Sequence, residues 1–152
     1  MHRRYGLRTV VVSTVAASGR RHVDHVLEGR KTAVLRPLLD PDGSTDPLER
    51  PGELLLAVDH AGRSIAVLRV EKAGVAALDD VEETLRRADD PDADVHAAWV
   101  ETRRQEWLAA GHCVHGGTPV VWVRFHVVGR DDPETDGECS QANADNRLAG
   151  PS

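Results

Sequence analysis

Apolar and β-branched residues concentrate in two stretches that predict strands near the two ends of the folded chain. Residues 6–15 are rich in Val and Thr, and residues 118–128 are rich in Val and include Trp122, Arg124 and Phe125. Stretches of this length and composition are typical of buried strands. We therefore expect the folded chain to begin and to end in a sheet.

A short helix is predicted between the first strand and the segment Gly29-Arg30-Lys31-Thr32. Apolar residues recur at helical spacing in residues 20–28, Ser18 can cap the helix, and Gly29 supplies the usual C-terminal stop. Residues 31–38 then alternate in the manner of a strand that has Lys31 at its start and Arg36 near its end. The segment therefore lies where a helix gives way to a strand.

A loop and a hairpin are predicted in the middle of the chain. Residues 40–51 are rich in Pro, Asp, Gly and Ser, which is typical of an exposed loop. Residues 53–59 and 63–71 predict two strands joined by a three-residue connection that ends in Gly62. Because both faces of these strands carry apolar residues, we expect the hairpin to lie centrally, in a sheet covered on both sides or closed into a barrel.

Two helices are predicted after the hairpin. Residues 79–87 begin with acidic residues and end with two arginines, which suits the dipole of a helix. An Asp-Asp-Pro-Asp segment at residues 89–92 interrupts the pattern, and a second helix over residues 93–110 has Trp99 and Trp107 on one stripe. These two tryptophans are expected in the core rather than against a ligand.

The length of 152 residues fits one domain with a single core. We assign the domain to residues 7–129 and expect residues 130–152 to be a disordered polar tail, because Leu148 is their only large aliphatic residue. The longest apolar runs are far shorter than the roughly 20 residues of a membrane span, and no signal-peptide core follows the charged N-terminus. These features predict a soluble, cytoplasmic protein that does not bind membranes.

The net charge of −6 is unevenly distributed along the chain. Residues 1–36 carry eight basic and two acidic side chains (net +6), whereas the remainder carries 11 basic and 23 acidic ones (net −12). A basic segment in an acidic chain can attract phosphate or nucleic acid locally while the remainder repels bulk polyanion. The same arginines are equally consistent with an ordinary solvated surface.

Lysine is rare: the chain has 17 arginines but only two lysines, Lys31 and Lys72. A lysine amine can lose its proton when it is buried, whereas an arginine guanidinium effectively cannot. Lys31 is therefore a candidate for a chemical role.

The two cysteines, Cys113 and Cys139, lie in different regions and predict free thiols rather than a disulfide. His112, Cys113 and His115 could in principle ligate zinc. Their spacing matches no established zinc motif, and a loop before the last strand is the preferred interpretation. We predict neither a metal nor another cofactor.

Four segments carry a resemblance to a known family: residues 26–36, which contain the Gly-Arg-Lys-Thr motif, residues 67–70, Trp99, and residues 120–128. Their order resembles the ASCH family of the PUA-like superfamily, over residues 7–129. The resemblance implies an α+β fold in which a small closed β-barrel is flanked by short helices, with a cleft lined by the lysine motif. Family members are thought to bind RNA or modified nucleosides, and some are hydrolases of N4-acylated cytidine or ribonucleases.

The chain departs from the hydrolase members of that family at two places. Their pattern is Lys-Thr-x-Thr-x-Arg; here Lys31 and Arg36 match it, but the second threonine is Val34. Thr32 could replace the missing hydroxyl, since it lies on the same face of the predicted strand, about 7 Å away. The expected glutamate is also absent, and three aspartates could take its place: Asp89, Asp90 and Asp92.

The first functional hypothesis is a module that binds RNA, a nucleotide or a modified nucleoside in a basic cleft. Its expected ligand-binding residues are Gly29, Arg30, Lys31, Arg36 and Arg124. With one Tyr, one Phe and three Trp, the chain has few aromatic rings on which a long single strand could stack. A small ligand or a short RNA end is therefore favoured.

The alternative is a hydrolase of N4-acylcytidine or RNA, with Lys31, Thr32, Asp89 and Asp90 as catalytic residues. Burial would lower the pKa of Lys31 whereas a neighbouring carboxylate would raise it, so the two requirements compete. A third hypothesis is that Lys31 merely pairs with an aspartate of residues 89–92. A dry, concave pocket with a carboxylate near the amine would favour catalysis, and an open basic groove would favour RNA.

Overall fold

The computed structural model describes residues 3–12 and 16–130, with side chains described from residue 19 in the second range. These residues form a mixed six-stranded sheet with three α-helices packed on it. In chain order the elements are β1 (Arg3–Arg4), β2 (Leu7–Val11), α1 (Ala16–Leu27), β3 (Ala33–Pro37), β4 (Leu54–Val58), β5 (Ser64–Ala77), α2 (Glu83–Asp89), α3 (His96–Ala109) and β6 (Pro119–Arg130). The α+β class predicted from the sequence is confirmed.

The sheet has the strand order β1-β2-β4-β5-β6-β3. β2 and β4 are parallel, and all other neighbouring strands are antiparallel. The predicted hairpin, β4 and β5, lies at the centre. β5 pairs with β6 from Ala66 opposite Arg130 to Ala77 opposite Pro119. Because β6 offers partners along this whole length, β5 continues beyond its predicted end at residue 71.

Two hydrophobic clusters cover the opposite faces of the sheet. Successive residues of a strand point to opposite faces, so Val121 and Val123 of β6 join the cluster under α1, whereas Val120 joins the cluster under α2 and α3. Trp99 and Trp107 of α3 belong to the second cluster and are buried. Both tryptophans are therefore core residues, as predicted.

The predicted closure into a β-barrel is not confirmed. Within the described residues the sheet is open and has β1 and β3 as its edge strands. Because β1 pairs only with Leu7 and Arg8, closure would require β3 to pair with the rest of β2, but a cleft lies between these two strands. Arg8 of β2 and Arg36 of β3 instead reach the same carboxylate, Glu49 in the following loop, at 3.3 and 3.1 Å. Side chains thus bridge the space that backbone pairing would close.

Element boundaries near the lysine motif differ from those predicted. α1 begins before Ser18, which therefore lies inside the helix rather than at its cap. Gly29 ends the helical path with a φ of 77°, a left-handed conformation that favours glycine. Lys31 and Thr32 precede β3, and the N–H of Thr32 donates to the carbonyl of Ala88 in α2.

The helix predicted at residues 79–87 is divided in two. A short 3-10 turn covers Leu78–Asp80, and α2 starts only at Glu83. Val81 and Glu82 between them have extended backbone angles, which interrupt the helical hydrogen bonds. α2 ends at Asp89, which is buried in the interior.

The last strand continues to Arg130, one residue into the predicted tail. The rest of that tail, including Cys139, lies outside the described residues. Cys113 is exposed and forms no disulfide. In the part of the chain that the structure describes, no helix has the length and apolar character needed to cross a bilayer.

Candidate functional site

The turn between α1 and β3 directs Lys31 into the interior. The N–H groups of Arg30 and Lys31 both donate to the carbonyl oxygen of His25, at 2.8 and 2.9 Å. The N–H of Thr32 then donates to Ala88 of α2 at 2.8 Å. Lys31 is thus held between α1 and α2, and its side chain is only 1% exposed.

Lys31 pairs with Asp89 at the end of α2. Its Nζ donates to the Asp89 carboxylate Oδ1 and to the Asp89 backbone oxygen, both at 2.7 Å. The other carboxylate oxygen, Oδ2, accepts a hydrogen bond from Trp99 Nε1 at 2.9 Å and lies 3.5 Å from Arg103 Nε. Asp89 is therefore the one of the three candidate aspartates that faces the amine.

Three further buried groups extend this pair into a cluster. Arg103 Nη1 lies 3.0 Å from Glu106 Oε1, and Arg103 Nη2 lies 3.4 Å from Nε2 of the fully buried His22. Two cations, Lys31 and Arg103, thus face two carboxylates, those of Asp89 and Glu106. Because buried charges are tolerated only when they are compensated, this balance is what allows the cluster to exist.

The interior position changes the protonation of these groups. Burial, together with the charge of Arg103, lowers the pKa of Lys31 below its ordinary value, although Asp89 raises it. Burial alone would raise the pKa of Asp89, but Arg103 and Lys31 together lower it below its ordinary value. Burial, with Lys31 and Arg103 nearby, lowers the pKa of His22 to about 3. At neutral pH, Asp89 is therefore charged and His22 is neutral.

A cleft of about 660 Å³ lies between β2 and β3 and is bordered by residues 40–49 and the end of α3. Lys31, Asp89 and Arg103 line it, and because they are almost fully buried they mark its inner end. Apolar side chains, Val34 of β3 and Trp107 of α3 among them, line the cleft together with charged ones. The cleft is thus a concave site with buried charged groups at its inner end.

The cleft is not a basic groove. Four cationic side chains line it: Arg8, Lys31, Arg36 and Arg103. Five carboxylates line it as well: Asp40, Asp42, Asp46, Glu49 and Asp89. Glu49, with a side chain 4% exposed, compensates both Arg8 and Arg36, while Asp89 compensates Lys31. The positive charge expected from the N-terminal segment is therefore neutralised within the site.

The other aspartates of the 89–92 segment face α1. Asp90 and Asp92 each contact Arg21, at 2.7 and 3.2 Å. The guanidinium of Arg30, whose side chain is 53% exposed, lies 3.7 Å from Asp92. Arg30 and Asp90 are therefore the sequence neighbours of Lys31 and Asp89, respectively, but do not line the cleft.

Three more of the predicted residues also lie outside the cleft. Gly29 and Thr32 border a separate depression of about 330 Å³ beside Phe125. Arg124 sits opposite Ala33 in the β3–β6 ladder and lines neither space. Of the predicted site residues, the cleft brings together Lys31, Arg36 and Asp89.

Sequence reasoning missed several residues of the site. Arg103 falls four residues after Trp99 and four before Trp107, so a charge in the middle of an apolar stripe was the available signal. Glu49 lies in a loop, and no feature of the neighbouring sequence identifies it as a site residue. Thr9 of β2 has the only hydroxyl side chain among the described residues that line the cleft, and its approach to β3 depends on the tertiary fold.

No protein-family model and no curated protein matches the sequence. Solved structures match it along most of its length. A protein of the DUF984 family model from Enterococcus faecalis aligns with a TM-score of 0.70 at 18% identity, covering 91% of this chain and 86% of that chain. An ASCH domain from Lactobacillus crispatus aligns with a TM-score of 0.62 at 17% identity, covering 80% of each chain.

An ASCH protein from Zymomonas mobilis aligns with a TM-score of 0.50 at 9% identity, covering 87% of this chain and 80% of that chain. At identities this low, structural likeness establishes the fold alone. The chain has the fold of ASCH domains, as the resemblance in its sequence predicts.

Proposed function

We propose that the chain binds a small nucleobase-containing ligand, a modified nucleoside, a nucleotide or the end of an RNA, in the cleft between β2 and β3. The observation that carries the proposal is the buried Lys31–Asp89 pair at the inner end of this cleft. The likeness of the fold to ASCH domains supports a ligand of the nucleic-acid type.

The polar groups of the cleft suit the edge of a base. A lysine ammonium has three N–H donors, and two of those of Lys31 are used by Asp89. The third is available to a ligand carbonyl or ring nitrogen, while the Asp89 carboxylate can accept from a ligand amino group. The volume also lies within the range of roughly 300–1,000 Å³ that small-molecule sites occupy.

The charge balance of the cleft argues against a long nucleic acid. Polyanion binding depends on uncompensated cations that release counterions, whereas each cation here already faces a carboxylate. Ligand affinity should therefore change little between low and physiological salt. Recognition would rest on the base and its modification rather than on phosphates.

Replacing Lys31 with methionine should weaken nucleoside binding at least about tenfold, because a hydrogen bond to a charged group contributes about 1.5–3 kcal/mol. The matched control is Lys72→Met, which removes the only other lysine, an exposed one on β5. Binding to a panel of nucleosides and short RNAs can be followed by calorimetry and by tryptophan fluorescence, since Trp107 lines the cleft.

Circular dichroism and a melting curve would show that the Lys31→Met protein is folded at the temperature of the titration. Equal affinities of the two variants would contradict the proposal. So would the failure of every compound in the panel to bind the wild-type protein at low salt.

Hydrolysis is the second candidate, because a carboxylate lies 2.7 Å from an amine whose pKa is lowered by burial. Lys31 could then act as a base toward water at the base of the cleft. With N4-acetylcytidine as substrate, water would be consumed and cytidine and acetate released. The threonine of the hydrolase pattern is absent at Val34, and Thr9 is the cleft hydroxyl that could substitute.

The same proteins test this activity by chromatography of N4-acetylcytidine and of labelled RNA after incubation. Product that forms with the wild type and with Lys72→Met, but not with Lys31→Met, is the expected result for a hydrolase. Identical traces for all three proteins would leave binding as the only function of the cleft.

A further inference from the structure

A group of side chains that could bind a metal ion lies where the last turn of α1 meets the segment after α2. His25, Asp90 and Asp92 each offer one ligand atom, and these atoms lie within 4.8 Å of one another. Among the described residues this is the one such group of three, and the His112–His115 segment does not form another. Two of its members, His25 and Asp90, are buried.

The ring of His25 has no hydrogen-bond partner in the described part of the chain. The residue is only 5% exposed, and its Nδ1 is buried without a partner. Its Nε2 points toward Asp92 Oδ2, but the two atoms are 3.7 Å apart, which is too far for a hydrogen bond. Buried polar nitrogens are normally satisfied. The Nε2 of His25 is therefore directed at the carboxylates of this group without a hydrogen bond to them, and its lone pair can serve as a metal ligand.

Arg21 contacts both carboxylates of this group. Its Nη1 lies 2.7 Å from Asp90 Oδ1 and 3.2 Å from Asp92 Oδ2. The arginine side chain is 38% exposed and projects from the surface of α1. It can therefore rotate into solvent and be replaced by a more compact cation.

We propose that His25 Nε2, Asp90 and Asp92 form a binding site for a divalent transition metal, with zinc as the best match. Zinc accepts imidazole and carboxylate ligands at about 2.0–2.2 Å in a tetrahedron, which separates the ligand atoms by about 3.3–3.5 Å. The Nε2–Oδ2 distance of 3.7 Å is already close to this value. Asp92 is exposed and can close the remaining gap.

The mixed donor set decides between metals. Magnesium and calcium prefer sites made entirely of oxygen, whereas imidazole is a good ligand of zinc, nickel and copper. Three protein ligands would leave the fourth position of the tetrahedron to water. Arg21 competes for the same carboxylates, so its removal should favour the metal.

A metal at this site would stabilise the two segments that position the Lys31–Asp89 pair. The carbonyl of His25 accepts the N–H of Lys31, and Asp90 directly follows Asp89. A metal joining His25 to Asp90 and Asp92 would thus tie together the two segments that supply the pair. This role does not depend on what the cleft binds.

The test is a titration of the full chain with zinc or cobalt(II), in a background with both cysteines replaced by serine. We expect one equivalent to bind, a higher melting temperature, and visible absorption typical of tetrahedral cobalt(II). His25→Gln or Asp92→Asn should weaken binding at least about tenfold, as loss of a contact at a metal site commonly does. Asp92 is exposed, so Asp92→Asn remains informative if His25→Gln fails to fold.

Asp94→Asn is the matched control, because Asp94 is exposed and borders the same depression as Asp92 without belonging to the group. It should bind like the unchanged background, and Arg21→Ala should bind more tightly. Absence of binding would overturn the proposal. Equal affinities of Asp92→Asn and Asp94→Asn, or weaker binding by Arg21→Ala, would overturn it as well.

Discussion

Replacing Asp89 with asparagine should lower the free energy of unfolding by about 3–5 kcal/mol, the usual cost of removing one partner from a buried ion pair. The substitution removes the one carboxylate that contacts both Lys31 and Arg103 in the described structure. The new amide group would also direct a donor toward Trp99 Nε1 or Lys31 Nζ, both of which are donors themselves.

Urea unfolding followed by circular dichroism measures this loss, and Asp94→Asn provides an exposed aspartate on the same segment as the control. The control should remain within about 0.5 kcal/mol of the wild type. A loss below about 1 kcal/mol for Asp89→Asn would mean that water reaches the pair and that its charges are not buried in solution.

Adding Lys31→Met to Asp89→Asn removes one charge of each sign and leaves Arg103 paired with Glu106. The double variant should therefore be more stable than the sum of the two single losses predicts, by an interaction energy of about 0.5–3 kcal/mol. Strict additivity would show that the two groups do not interact.

Acidification should destabilise the protein between about pH 6.5 and pH 4, because His22 resists protonation in the folded state. Its pKa is lowered to about 3 by burial and by Lys31 and Arg103, whereas an unfolded histidine titrates near 6.5. Below pH 6.5, His22 binds a proton in the unfolded chain but remains neutral in the folded chain. Stability is thus lost as the pH falls, by about 1.4 kcal/mol per pH unit.

Unfolding free energies at pH 7, 6, 5 and 4 test this dependence in the wild type and in His22→Gln. Glutamine keeps an acceptor for Arg103 Nη2 but has no titrating group, so its profile should be flatter by about 3 kcal/mol over this range. The exposed His126, which contacts Glu71, provides the control His126→Gln. Parallel profiles for the wild type and His22→Gln would contradict the assignment.

Protonation of Asp89 lowers the stability at a lower pH than protonation of His22 does. Its folded pKa lies below its ordinary value, so its contribution is complete above about pH 4 and is lost only as the pH falls further. The interval from pH 6.5 to pH 4 therefore isolates the effect of His22 from that of the carboxylate.

Local sequence patterns were sufficient for most of the elements. Helical spacing and Gly29 predicted α1 and its end, and the paired apolar runs predicted the central hairpin, because these features depend on neighbouring residues. Boundaries that depend on distant partners were missed. β5 is longer than predicted because of its pairing with β6, and β3 starts later because α2 takes the N–H of Thr32.

The open edge of the sheet was also beyond local reasoning. Whether β2 and β3 pair depends on what lies between them, and the answer here is a cleft bridged by Arg8, Glu49 and Arg36. These residues come from three separate segments, so no local pattern connects them. The balance of charges in the cleft, which argues against a basic groove, also depends on residues from separate segments.

The sequence alone was enough for the α+β class and the turn at Gly29, and it singled out Lys31 as a candidate because the chain has only two lysines among many arginines. Only the tertiary structure decided that Asp89, 58 residues away, faces the amine while Asp90 turns to α1. The reason is physical: the pKa and the charge compensation of a buried group depend on distances between segments that approach one another only when the chain is folded.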